Sequence, residues 1–216
     1  MILSQASLHG AVIHFKPMNF LAHSLFGFND HALIAGQFCG DFVRGRDLSA
    51  YPAGIENGIR LHRYLDNYTD THPTLMQCRT AVLPVRRRFA GILIDVLFDH
   101  YLAKHWSSVS ALSLDAHAED VYVALTAHEP HLPDSLKRFV IILKRESLLQ
   151  NNLHLDSIER TLARIAKRSD ALAPLALSAA ELKPISENLA QPFADFYPDL
   201  YRAALNFVAQ QPRSAT

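Results

Sequence analysis

VRRRFAGILIDVLFDHYLAKHW, residues 85–106, carries the periodicity that decides the fold. Its apolar positions Phe89, Ile92, Leu93, Val96, Leu97, Tyr101 and Leu102 recur every three or four residues, the spacing of one buried helix face. Downstream, 134–150 opens on an Asp and keeps Leu136, Phe139, Val140 and Leu143 on one side. The segment 155–167 begins with Asp156 or Ser157 as a cap and closes on basic Lys167-Arg168, the charge favoured at a helix C-terminus. Upstream, 19–26, 32–43 and 54–68 read as helices, the last two containing glycines. All eight glycines fall at or before Gly91, so 92–216 has none, as expected of helices separated by proline and not of strands and tight turns. Pro73, Pro84, Pro130, Pro133, Pro174, Pro184, Pro192 and Pro198 are then the expected boundaries. The expected fold is all-α, one domain, a helical bundle over 18–216 preceded by an N-terminal extension, 1–17.

Composition narrows the function. With 216 residues and 49% hydrophobic content the chain can bury a substantial core and is not disordered. Two cysteines exclude a disulfide scaffold, and no apolar run is long enough to span a bilayer. The start lacks the pattern of a signal peptide, so a cytoplasmic, reducing setting is expected, with no membrane partner. Twenty-one basic residues balance 21 acidic ones, which argues against nucleic acid as a partner.

The chemistry concentrates in three places. Along Leu61-His62-Arg63-Tyr64-Leu65-Asp66-Asn67-Tyr68-Thr69-Asp70, His62, Asp66 and Asp70 lie four apart, one polar line on a helix. Asp95 and Asp99 repeat that spacing inside an apolar helix, where a carboxylate needs a partner or a cation. Asp41 sits within Phe38-Cys39-Gly40-Asp41-Phe42. Imidazoles and carboxylates without thiolate suit Mn²⁺, Mg²⁺ or Fe²⁺ better than structural zinc. Between Asp41 and His105 there are nine basic residues, including Arg44, Arg46, Arg63 and Arg86–Arg88. Of the seven acids in that span, five are these candidate ligands or their neighbour Asp70. A surplus of arginine around such a site favours a phosphorylated or acidic partner.

Four blocks together resemble a known family: Met18-Asn19-Phe20-Leu21-Ala22-His23; Gly40-Asp41-Phe42-Val43-Arg44-Gly45; Leu61-His62-Arg63 through Thr69-Asp70; and Asp95 through Trp106. In this order they are similar to the bacterial acyl carrier protein phosphodiesterases, and Phe196-Tyr197-Pro198 extends the likeness more loosely. The resemblance implies a helical enzyme related to the HD-type metal-dependent phosphohydrolases. It implies a divalent ion, Mn²⁺ or similar, and holo-acyl carrier protein as the partner that loses its 4′-phosphopantetheine arm. Carried over by position, Asp41, His62, Asp66, Asp95 and Asp99 are the expected metal ligands. The usual adjacent His-Asp dyad is absent: Asp30-His31 and Asp99-His100 both run in reverse.

The implied reaction is water attack on the phosphodiester between a protein serine and the pantetheine alcohol, with a metal lowering the pKa of that water. His23 or His100 would protonate the departing serine oxygen, an unligated carboxylate such as Asp70 would take the water proton, and Arg44 would offset phosphate charge. Two other readings share these residues: a metal phosphohydrolase of a nucleotide or other small phosphodiester, and a non-catalytic helical module that docks acidic proteins. Neither a glycine-rich phosphate loop nor an activated Ser or Cys motif is present.

Overall fold

The computed structural model describes residues 20–86 and 89–211. Among these the structure is helical throughout, with no strand. The helices in chain order are α1 (Phe20–Leu25), α2 (His31–Cys39), α3 (Ala53–Thr71), α4 (Pro73–Arg86), α5 (Ala90–Lys104), α6 (Trp106–Val109), α7 (Leu114–Ala127), α8 (Asp134–Arg145), α9 (Leu155–Ala166) and α10 (Ala179–Gln210). Short 3₁₀ segments at Glu129–His131, Gln150–Leu153 and Asp170–Leu175 make connections between them.

Helix α5 is the central element. Leu93, Ile94, Leu97, Phe98 and Leu102 are each at most 1% exposed, so apolar side chains leave this helix in several directions, as in a helix enclosed by others. α1, α4, α9 and α10 all contact it. The α2–α3 pair forms the most extensive helix contact, and small residues allow it: a Cβ on Gly36 would lie 2.3 Å from the Ile55 carbonyl oxygen, and one on Gly58 would lie 2.5 Å from that of Leu33. Gly36 and Gly40 on one side and Gly54 and Gly58 on the other, each four apart, let the two backbones approach.

Several sequence expectations need correction: the helix expected over 32–43 ends at Cys39, and neither Asp156 nor Ser157 caps α9, which starts at Leu155 behind His154. The stretch 85–106 is not one helix, because α4 runs to Arg86 and α5 begins at Ala90. The helix expected over 134–150 ends at Arg145, where Ser147 takes a left-handed conformation (φ 46°) and turns the chain. Pro84 lies inside α4, and Pro184, Pro192 and Pro198 lie inside α10 and do not end it. An interior proline costs about 3 kcal/mol. Against that, Leu182, Leu189, Phe193, Phe196 and Leu200 are all buried along α10, and each contributes about 1.5–3 kcal/mol. Packing wins. A capping box, Ser178 with Glu181, starts this 32-residue helix. The expected extension 1–17 lies outside the described residues.

Candidate metal centre

Helices α1, α2 and α3 converge on one group of side chains. His23 and His62 stack with ring centroids 3.9 Å apart, and both are buried. Asp66, one turn along α3 from His62, reaches both: its Oδ1 is 3.3 Å from His23 Nε2 and its Oδ2 is 3.5 Å from His62 Nε2. Asp41, just past the end of α2, places Oδ2 3.3 Å from the same His62 nitrogen. His23, His62 and Asp66 offer ligand atoms that all lie within 4.8 Å of one another, and Asp41 adjoins them on the His62 side.

Gly40 makes this possible. A Cβ there would fall 2.2 Å from Cγ and 2.3 Å from Cδ2 of His62, so the imidazole fills the space that a side chain would take. Gln37, the polar residue among the buried apolar ones of α2, accepts from His23 Nδ1 at 2.9 Å. That bond needs a proton on Nδ1, so Nε2 is the ring nitrogen turned toward the Asp66 carboxylate and the one that could serve an ion.

The electrostatics call for a cation. Burial alone would lower the His62 imidazole, yet the Asp41 and Asp66 carboxylates carry it up to about 9. Burial raises Asp66, but hydrogen bonds and charge from His23 and His62 hold it well below the usual carboxylate range. Beyond that long 3.3 Å approach to His62 Nε2, buried Asp41 Oδ2 has no hydrogen-bond donor, and buried His62 Nδ1 has no partner. Adjacent ligands of one ion, each bound at about 2.1 Å, sit about 3 Å apart, close to the separations here. Residue types, spacing and the orphaned carboxylate oxygen all fit a divalent ion.

The other expected site residues are placed elsewhere. Asp99 does not join the group: Oδ2 accepts from the Leu21 amide at 2.8 Å and Oδ1 from the Ala22 amide at 2.9 Å. It serves the open N-terminal turn of α1, whose amides need acceptors, and Asn152 Nδ2 adds a contact at 3.3 Å. Burial pushes its carboxyl up to about 8, against the pull of the two amides. Asp95 is half-buried on α5 and is not part of the group. His100 Nδ1 donates to the Asn152 carbonyl at 2.8 Å, and burial lowers its imidazole. Asp70 pairs with Arg79. Arg44 is exposed on the loop after α2, and Arg63 holds that loop by donating to the Val43 and Gly45 carbonyls at 2.9 and 2.8 Å. Arg63, one of the surplus arginines of the sequence, is thus a loop clamp. Arg87 and Arg88 lie outside the described residues.

The motif blocks of this site fall within a longer match. Residues 18–200 match the family described as acyl carrier protein phosphodiesterase. The chain belongs to this family. Among curated acyl carrier protein phosphodiesterases, that of Klebsiella pneumoniae subsp. pneumoniae is 37% identical over 193 residues, covering 88% of this chain and 98% of that protein. That of Yersinia pestis is 35% identical over 189 residues, covering 87% and 97%. The Photorhabdus laumondii protein is 33% identical over 193 residues, covering 88% and 96%. No solved structure matches the chain. Among the described residues no helix is long and apolar enough to cross a membrane.

Proposed function

We propose that this member of the acyl carrier protein phosphodiesterase family hydrolyses the phosphodiester of holo-acyl carrier protein in the cytoplasm, releasing 4′-phosphopantetheine and leaving apo-carrier. The observation that carries this reading is the convergence of His23, His62, Asp66 and Asp41 within the family's matched blocks. These four side chains would hold the ion, with Mn²⁺ the best match to a mixed imidazole and carboxylate set. When bound, such an ion supplies positive charge beside the phosphate and an acidified water near neutral pH.

The remaining roles belong to the chain itself. Gln37 fixes the His23 ring so that Nε2 points at the site. Arg44, on the loop clamped by Arg63, is the cation available to an incoming phosphate. We assign neither proton transfer to Asp70, whose carboxylate is paired with Arg79, nor leaving-group protonation to His100, whose Nδ1 is committed to a carbonyl. Asp99 acts through α1, by holding the helix that carries His23.

Intact-mass measurement of holo-carrier incubated with the protein and Mn²⁺ tests the reading. The carrier is expected to lose the mass of phosphopantetheine, EDTA is expected to stop the loss, and ¹⁸O-water is expected to label the released phosphate. An unchanged carrier with every divalent ion tried would overturn the carrier assignment and favour a small phosphodiester as substrate.

A further inference from the structure

A cleft lined by none of the four candidate ligands runs between α5, α8 and α9. Its inner part is apolar, walled by Phe20, Val96, Phe139, Leu149 and Ile165. Its cavity volume is about 80 Å³, room for part of one hydrocarbon chain with the remainder in the open mouth. The outer part is polar and continues from the first, since Leu148, Asn152, Thr161 and Arg164 line both. Arg160, Arg164 and Arg168 stand four apart along and just beyond α9, one stripe of guanidinium groups beside the slot.

The charges around this mouth are unequal. Glu146 is the acid that lines the outer part, and it is bonded to both Arg145 and Arg164. Arg160 is oriented by its bond to Ser157 Oγ at 2.6 Å. The acid at the inner end, Asp99, turns both oxygens to the amides of Leu21 and Ala22, so it offers the slot little charge. An apolar slot with a positive rim is complementary to one class of molecule, a single hydrocarbon chain ending in an anion.

We propose that this cleft is a binding site for a free fatty-acid-type anion, with the chain between α5 and α8 and the carboxylate against the α9 arginines. The site is distinct from the metal centre and does not depend on the reaction proposed above. Charge-assisted hydrogen bonds to the head supply direction, and the apolar wall supplies most of the affinity.

Calorimetric titration of the full chain with dodecanoate tests this, with dodecanol as the uncharged probe. Dodecanoate is expected to bind saturably and dodecanol about tenfold more weakly, the loss of roughly one charge-assisted bond. Thr161→Phe, which fills the slot from a half-buried position, is expected to abolish binding. The triple change Arg160→Gln, Arg164→Gln, Arg168→Gln is expected to bring dodecanoate down to the level of dodecanol, at an unchanged melting temperature. His62→Ala is expected to leave dodecanoate binding intact while removing divalent-ion binding, so failure of the metal reading and failure of this one are separable. Equal affinity for both probes, or retained binding in Thr161→Phe, overturns the proposal. So does binding only of a dodecanoyl group tethered to carrier protein, which would make the cleft part of the substrate path. Binding that emerges only when residues 1–17 are deleted overturns it in favour of the chain's own N-terminal segment as occupant.

Discussion

Replacing Gly40 by Ala adds a single methyl group, yet it is expected to dismantle the metal centre. Gly40 has φ −50° and ψ −39°, an ordinary helical conformation, so Ala is sterically acceptable to the backbone and by propensity would gain about 0.5–1 kcal/mol. Any loss must therefore come from what the methyl meets. It would stand 2.2 Å from His62 Cγ, 2.3 Å from Cδ2 and 2.7 Å from Cβ, where carbon atoms prefer about 3.5–4.0 Å. The ring must move by more than an ångström or the helices must part, and the Gly36–Gly58 contact leaves no slack for parting. Overpacking of this kind costs about 1–3 kcal/mol. Displacing a site residue by about 1 Å costs on the order of a hundredfold in rate. Urea denaturation of the variant should show a midpoint lowered by that cost, Mn²⁺ titration should show weakened binding, and carrier processing by intact mass should fall about a hundredfold. A variant with wild-type ion affinity and wild-type turnover would refute the placement of His62 against Gly40.

His62→Ala or Asp66→Ala should abolish saturable Mn²⁺ binding in calorimetry while leaving helical circular dichroism unchanged; retained stoichiometric binding would place the ion elsewhere. Gln37→Leu should weaken Mn²⁺ affinity about 10–100-fold through the His23 ring, with Gln37→Glu recovering most of it; equal affinity in Gln37→Leu would remove Gln37 from that role. Asp99 gives a pH signature. Its folded carboxyl, raised from 3.8 to about 8, binds the proton more tightly than the unfolded chain does, so its contribution to stability falls as pH rises through that window. Asp99→Asn should flatten the slope of stability against pH between those values in denaturation series, and an unaltered slope would contradict the burial. Asp99→Ala, which strips acceptors from two amides, should lower stability by about 2–4 kcal/mol and reduce ion binding only in proportion to unfolding.

The sequence was most informative where one helix supplies both partners. His62 and Asp66 share α3 and four-residue spacing, so their alignment follows from helix geometry. The same rule made Asp95 and Asp99 look equivalent to them, but spacing says nothing about which neighbour a helix face meets. Asp99 meets the amides of α1, a contact 78 residues distant in sequence. His23, a proton donor by sequence, lies among the candidate ligands for the same reason, since its approach to Asp66 depends on how α1 docks. Gln37 was missed, although a lone amide in His31–Cys39 is a polar residue with no solvent face to occupy. The glycines were read as weakening α2 and α3, whereas their four-residue repeat is what lets the helices meet. The Ser178-x-x-Glu181 capping box marks where α10 starts, but its continuation past three prolines depends on the packing of its apolar face, which local rules do not contain.

Because glycine holds α2 and α3 at backbone contact, the width of the centre is set by main chain and not by adaptable side chains. That has a bearing on how this family can vary. A longer ligand cannot be accommodated by letting its helix drift outward, as it can in a loosely packed bundle, so Asp41→Glu and Asp66→Glu should each be nearly as damaging as removal despite keeping the charge. Nor can the aperture widen to accept a larger ion without first replacing Gly36 or Gly58. Under the proposed reading, the size of the ion this group would hold is tied to two positions that do not touch it, Gly36 and Gly58.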